Sequence, residues 1–163
     1  MCQRDRADRA RSAHSGVSAI SGELLESYTR AVYRVDTPGG PIFLRVGVVS
    51  AELDRLLETL GASCFAFLCA ANPGSRALPE TENLRRHRQL VDRLGEGGLP
   101  AVAGESFDPA TGGWREASLL VVGIDREAAL ALAREFGQAA LLWGEIGRPV
   151  ALLPTAGGAL EPD

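Results

Sequence analysis

Residues 64–70, CFAFLCA, are apolar at every position. A strand at the surface of a sheet alternates apolar and polar residues, because only one of its faces is buried. An uninterrupted apolar run is instead typical of a central strand that is covered on both faces. The sequence therefore predicts such a strand here, with Cys64 and Cys69 as core residues.

Helical and strand patterns interleave on both sides of this strand. Ser21, Ser50 and Asp125 precede amphipathic segments as N-caps, and a further helix is predicted over residues 80–94. The turn clusters DTPGGP and DPATGG and a Gly-containing turn before Pro149 each join two strand-like segments, which is typical of hairpins. The pattern predicts an α+β fold: a two- or three-layer sandwich with a mixed, largely antiparallel sheet and about four helices.

The chain has 163 residues, of which 45% are hydrophobic and 23% charged, and this composition fits one globular domain. We expect residues 17–154 to form that domain. Residues 1–16 mix Arg and Asp without an apolar core, so we predict a disordered polar leader and not a secretory signal. Residues 155–163 are predicted to be a loose tail.

Composition excludes several functional classes. The net charge of −4 argues against nucleic-acid binding, and no apolar run approaches the roughly 20 residues that cross a bilayer. The chain contains no lysine, which excludes Schiff-base chemistry and a phosphate-loop lysine. Its three cysteines and two histidines do not form a metal motif, so we expect no metal and no cofactor. Without an export signal, the expected location is the cytoplasm.

The stretch AANPGSRALPETEN, residues 70–83, follows the apolar strand and leads into a helix. Asn72, Ser75, Arg76 and Asn83 supply amide, hydroxyl and guanidinium groups at the edge where α/β proteins bind ligands. The N-terminus of the helix would favour an anion, but two glutamates in its first turn oppose one unless an Arg such as Arg86 contributes. The alternative is a turn whose polar groups only satisfy the backbone.

Glu116 is the second unusual position. Alternation in WREASLLVV places Trp114, Glu116 and Ser118 on the same face as apolar residues, so a carboxylate is expected at the rim of the core. It would act as an acid or base, bind an amine, or form a structural ion pair with Arg45 or Arg86.

Two further side chains have both a structural and a functional interpretation. Gln138 follows a helix end and would orient a ligand or bond to loop carbonyls. His87 is expected to be mostly buried and hydrogen-bonded on the apolar face of its helix.

Three segments resemble a bacterial family known as domain of unknown function 3293. They are FAFLCAANPGSRALPETENLRRHRQLVDRL, GGWREASLLVVGI and AREFGQAALLWGEIGRPVALL, in that order, and the resemblance is expected over about residues 20–153. Cys69, Ala70 and Ala71 precede Asn72, so a hydroxyl expected in this turn of the family is missing. The resemblance implies no activity.

We predict that the protein binds a small polar or anionic ligand in a pocket formed by the 70–83 loop, the 114–118 strand and the 137–139 turn. The alternatives are an enzyme that uses Glu116 as acid or base, and a protein-interaction module that acts through an edge strand or as a homodimer. The partners expected are thus a small molecule or a second copy of the chain, with no nucleic acid and no membrane. The candidate site residues are Asn72, Ser75, Arg76, Asn83, Arg86, Trp114, Glu116 and Gln138.

Overall fold

The computed structural model describes residues 21–111 and 114–156. The predicted leader, residues 1–16, lies outside the described residues, and so does most of the predicted tail. Thr155 and Ala156, which we assigned to that tail, are buried. The Thr155 hydroxyl donates to the carbonyl oxygen of Gln138 at 2.6 Å, so the packed chain continues past the last strand.

The described residues form four α-helices and seven strands, and the α+β prediction is confirmed. The helices are α1 (Gly22–Arg30), α2 (Ala51–Thr59), α3 (Glu80–Glu96) and α4 (Arg126–Glu135). The strands are β1 (Val32–Thr37), β2 (Gly40–Leu44), β3 (Cys64–Cys69), β4 (Ala101–Phe107), β5 (Arg115–Val122), β6 (Ala140–Glu145) and β7 (Ala151–Pro154).

The predicted caps begin three of the helices. Ser21, Ser50 and Asp125 each accept a hydrogen bond from the backbone N–H three residues later, which satisfies a donor that the first helical turn leaves free. None of the described helices is long and apolar enough to span a membrane.

The strands form one sheet in the order β2-β1-β4-β5-β3-β6-β7, and every described strand pair is antiparallel. The run that we expected to be central is β3, between β5 and β6. Cys64 and Cys69 are only half-buried, because they stand at the two ends of this strand. The last hairpin places β7 at one edge of the sheet, and β2 forms the other edge.

The sheet separates two apolar clusters, which makes a three-layer sandwich. On one face, residues of α3 and α4 pack on Ala66, Leu68, Leu119 and Val121. On the other face, α2 packs on the residues between these, including Phe67 and Leu120. Because β3 and β5 contribute to both clusters, residues at the ends of these strands lie between two packed layers.

Candidate functional site

After β3 the chain enters a loop in which several residues adopt the left-handed backbone conformation. Asn72 has φ 49° and ψ 60°, and Ser75 has φ 61°. Residues with a Cβ rarely adopt this region, and such residues concentrate at functional sites where the surrounding contacts hold them. Gly74, with φ 66°, lies between them in a short 3₁₀ turn, Pro73–Ser75. The loop therefore needs contacts with other parts of the chain to hold this conformation.

Asn83 at the start of α3 supplies part of that support. Its Oδ1 accepts from the backbone N–H of Asn72 at 2.9 Å, and its Nδ2 donates to Asn72 Oδ1 at 2.8 Å. The same Oδ1 of Asn72 accepts from the backbone N–H of Leu78 at 2.9 Å. With its oxygen occupied by two donors, Asn72 must direct its Nδ2 the other way, and this group donates to Glu116 Oε2 at 2.8 Å.

Arg86 and Gln138 hold the backbone on the other side of the loop. The Arg86 guanidinium donates to the carbonyl oxygens of Ala70 and Phe136. Gln138 is buried, and its Nε2 donates to the carbonyl oxygen of Ala71 at 3.0 Å and to that of Phe136 at 3.2 Å. The Nε2 of Gln138 thus donates to backbone carbonyls, as the structural interpretation of this residue predicted.

Gly137 lets the loop approach the end of α4. The backbone N–H of Gly74 donates to the carbonyl oxygen of Gly137 at 2.7 Å. A Cβ at Gly137 would stand 2.9 Å from the Cβ of Pro73, and its φ of +69° already disfavours a side chain. Any larger residue would push the loop away from the turn.

Glu116 points to the face predicted from its alternation. Its neighbour Arg115 lies on the opposite face and forms an ion pair with Glu105 at 2.7 Å. Glu116 accepts from Asn72 and, at 3.7 Å, from the Cys69 thiol, while Arg86 donates to carbonyl oxygens. Glu116 forms no ion pair with any described residue, so the alternative of a structural ion pair with Arg45 or Arg86 is wrong. Burial raises the pKa of Glu116, and the hydrogen bonds from Asn72 and Cys69 oppose that rise.

Two other ionisable groups beside Glu116 stay protonated at neutral pH. Burial, and next the negative charge of Glu116, raise the pKa of the Cys69 thiol to about 12. The same two causes raise the pKa of Tyr28 to about 12, and a hydrogen bond with the Ser75 side chain opposes them. Cys69 is consequently a thiol donor and not a thiolate nucleophile.

Tyr28, Asn72 and Glu116 line a cavity of about 300 Å³. It lies between α1, the loop after β3, the start of β5 and the turn before β6. Its described lining residues are Leu24, Ser27, Tyr28, Asn72, Ser75, Ala77, Trp114, Glu116, Gln138 and Ala139.

Five of the eight candidate residues line this one cavity, namely Asn72, Ser75, Trp114, Glu116 and Gln138. Asn83 and Arg86 do not line it but donate hydrogen bonds to the loop, to Asn72 and to the carbonyl oxygen of Ala70. Arg76 is exposed and is not among the lining residues. The three segments predicted to form a pocket are thus adjacent in space.

Sequence reasoning missed the contribution of α1. Leu24, Ser27 and Tyr28 line the cavity, but their spacing indicated only an amphipathic helix. The signal that could have identified them is weak: a hydroxyl residue and a tyrosine on the same face as Leu24, where a packing helix has apolar residues.

His87 differs from the prediction. It is half-buried, and its Nδ1 is buried without a hydrogen-bond partner in the part of the chain that the structure describes. Burial lowers its pKa, so the neutral form is favoured. It does not line the cavity with Glu116, and no group of three metal-ligating side chains occurs within residues 21–111 and 114–156.

Comparison with known proteins gives one match. The sequence profile described as "Protein of unknown function (DUF3293)" matches residues 68–141. This range is shorter than the expected 20–153, but it includes the loop after β3, Glu116 and Gln138. Neither the comparison with curated proteins nor that with solved structures returned a significant match. The predicted resemblance to the DUF3293 family is confirmed, and it covers the segment that builds most of the cavity.

Proposed function

We propose that the protein binds a small polar ligand in the cavity between α1 and the loop after β3. The main support for the proposal is that polar residues from distant parts of the sequence converge on one cavity. Three segments far apart in sequence place Asn72, Glu116 and Gln138 around one cavity, and Glu116 is a half-buried carboxylate without an ion-pair partner among the described residues. A half-buried carboxylate without an ion-pair partner destabilises the fold, so its presence here indicates a role other than stability.

The size and chemistry of the cavity favour a small molecule. At about 300 Å³ it lies at the lower end of the range for ligand sites. Trp114, Leu24 and Ala139 supply apolar walls, and Tyr28 and Ser75 supply hydroxyl groups. A few polar groups in an apolar cleft are the usual composition of a specific site.

A thermal-shift screen tests the proposal. A panel of amino acids, amines, amides, nucleobases and carboxylates is measured on the unaltered chain and on Glu116→Gln, which keeps the shape and removes the charge. A ligand at 100 times its Kd stabilises by about 2.7 kcal/mol, a Tm increase on the order of 5–10 °C.

The matched control is Glu58→Gln, which removes an exposed carboxylate on α2. We expect at least one compound to raise the Tm of the unaltered chain and of Glu58→Gln, and to raise that of Glu116→Gln much less. The proposal fails if no compound stabilises the protein, or if the compounds that do stabilise Glu116→Gln equally.

Acid or base catalysis by Glu116 is the second candidate. The observation that favours it is the raised pKa of a carboxylate that faces an open cavity, which is typical of general acids and bases. Compounds from the screen are incubated with the protein and followed by NMR. Conversion by the unaltered chain but not by Glu116→Gln would establish catalysis, and unchanged spectra for every bound compound would leave binding alone.

We further propose that the protein acts in a bacterial cytoplasm. The proposal is supported by the resemblance to DUF3293, which we take as a bacterial family, and by Cys64 and Cys69, which are both free thiols.

A further inference from the structure

We propose that the ligand of this cavity is a small organic cation, in which an ammonium or guanidinium group binds Glu116 and an apolar body lies against Trp114. This inference rests on the proposed function and specifies the charge of the ligand.

The first support for a cationic ligand is the charge of the residues around the cavity. Of its ten described lining residues, Glu116 is a carboxylate and the other nine are uncharged at neutral pH. An anion, which the sequence allowed, would meet this carboxylate without a compensating positive group on the described walls. A cation would neutralise it in a site where water is partly excluded and the attraction is stronger than in bulk water.

The arginines that were expected to favour an anion are directed elsewhere. The Arg86 guanidinium donates to two loop carbonyls, and Arg76 does not line the cavity. At the start of α3, Glu82 forms an ion pair with Arg85, which balances that charge locally. No residue from the N-terminus of α3 is among the described lining residues, so this helix end adds no positive group to the walls of the cavity.

The carboxylate of Glu116 has room for more donors. Two oxygens offer about four acceptor positions, and those it uses are one amide N–H of Asn72 at 2.8 Å and the weakly donating Cys69 thiol at 3.7 Å. Neither of these partners carries a positive charge. The raised pKa of Glu116 agrees with this, because a nearby cation would lower it.

The remaining walls fit the other parts of such a ligand. The ammonium also has N–H groups that do not point to Glu116. The hydroxyl oxygens of Ser27, Ser75 and Tyr28 can accept hydrogen bonds from these groups. Trp114 and Leu24 present an aromatic and an aliphatic surface. An indole ring also attracts a cation placed over its face.

Matched probes of different charge test the inference by NMR. Benzylammonium, benzyl alcohol and benzoate share one ring and differ in charge, and ethylguanidinium and butylammonium vary the cation. The chain has two tryptophans, so its ¹⁵N spectrum contains two indole signals. Trp114 lines the cavity, while Trp143 donates its indole N–H to the carbonyl oxygen of Ile124 and is the internal reference.

We expect benzylammonium to shift the Trp114 signal and not the Trp143 signal, with a Kd at least about tenfold below those of benzyl alcohol and benzoate. Glu116→Gln should abolish the preference, and Glu58→Gln should retain it. The comparison among probes uses the unaltered chain, so it does not depend on the folding of a variant.

Two results overturn the inference. If benzyl alcohol or benzoate binds as tightly as benzylammonium, the ligand is not selected as a cation, but the proposed binding site stands. If none of the cations shifts Trp114 at concentrations up to about 10 mM, a cation site is excluded. A neutral or anionic compound from the larger panel that shifts Trp114 alone would then preserve the proposed function, and the absence of any such compound would refute both.

Discussion

Replacing Asn72 by alanine tests the connection between the loop and Glu116. The change removes the hydrogen bond that Nδ2 donates to Glu116 and the two that Oδ1 accepts, from Leu78 and Asn83. It also places an alanine at φ 49°, where a Cβ is disfavoured.

The expected loss of stability follows from these contacts. Each side-chain hydrogen bond contributes about 1 kcal/mol net, and the left-handed conformation costs alanine about 1 kcal/mol more than it costs asparagine. Because Asn72 is half-buried, water can replace part of the lost bonding. We therefore expect Asn72→Ala to lower the free energy of unfolding by about 3 kcal/mol, which corresponds to a Tm decrease of about 6–12 °C.

Urea and thermal unfolding, followed by circular dichroism at pH 7, measure this loss. The companion variant Asn72→Asp keeps the accepting oxygen and the tolerance for positive φ, but it replaces the donor with a second carboxylate oxygen beside Glu116. Its destabilisation relative to the unaltered chain should shrink as the pH falls from 8 to 5, because one carboxyl of the pair then holds a proton. A loss below about 1 kcal/mol for Asn72→Ala, or a pH-independent loss for Asn72→Asp, would refute the network.

Three further variants test other parts of the site. Burial raises the folded-state pKa of Glu116, so its contribution to stability is full below the unfolded value and is lost as pH rises through the folded value. Glu116→Gln should accordingly be more stable than the unaltered chain at pH 8, with a difference that vanishes near pH 4 in urea titrations, and a less stable Glu116→Gln at pH 8 would contradict this. Gly137→Ala should cost about 2–4 kcal/mol, because a Cβ there meets Pro73 at 2.9 Å. The control is Gly147→Ala, which has a similar φ of +79° but open space and should cost about 1–2 kcal/mol, and equal losses would exclude the contact as the cause. Arg86→Met leaves the carbonyl oxygen of Ala70 without its side-chain donor and that of Phe136 with Gln138 alone, and it should cost about 2–3 kcal/mol in the same assay, whereas a change under about 1 kcal/mol would show that water replaces the guanidinium.

The fold was largely predictable because its signals are local. N-caps, hairpin turns and the apolar run of β3 depend on neighbouring residues, and each occurs where it was expected. The order of the strands was not predictable, since β1 pairs with β4, and β3 pairs with β5 and β6, through contacts between segments distant in sequence. The half-burial of Cys64 and Cys69 follows from where β3 ends, which an apolar run does not specify.

The site was predictable where a residue was unusual for its position in the sequence pattern. Glu116 on a core-facing strand and Asn72 directly after a buried strand both contradict simple packing, and both line the cavity. Tyr28 was missed because its side chain fits an amphipathic helix and only tertiary packing brings α1 over β5. The choice between Arg76 and Arg86 was open for the same reason: sequence gives the charge but not the direction of a long side chain.

A crystal structure of the protein with the most stabilising compound of the thermal-shift screen tests the central claim most directly. We predict electron density for the compound in the cavity, with one of its nitrogen atoms at about 2.7–3.2 Å from a carboxylate oxygen of Glu116. The ring of Trp114 should contact the apolar part of the compound. Density elsewhere on the protein, with this cavity occupied by water alone, would contradict the account.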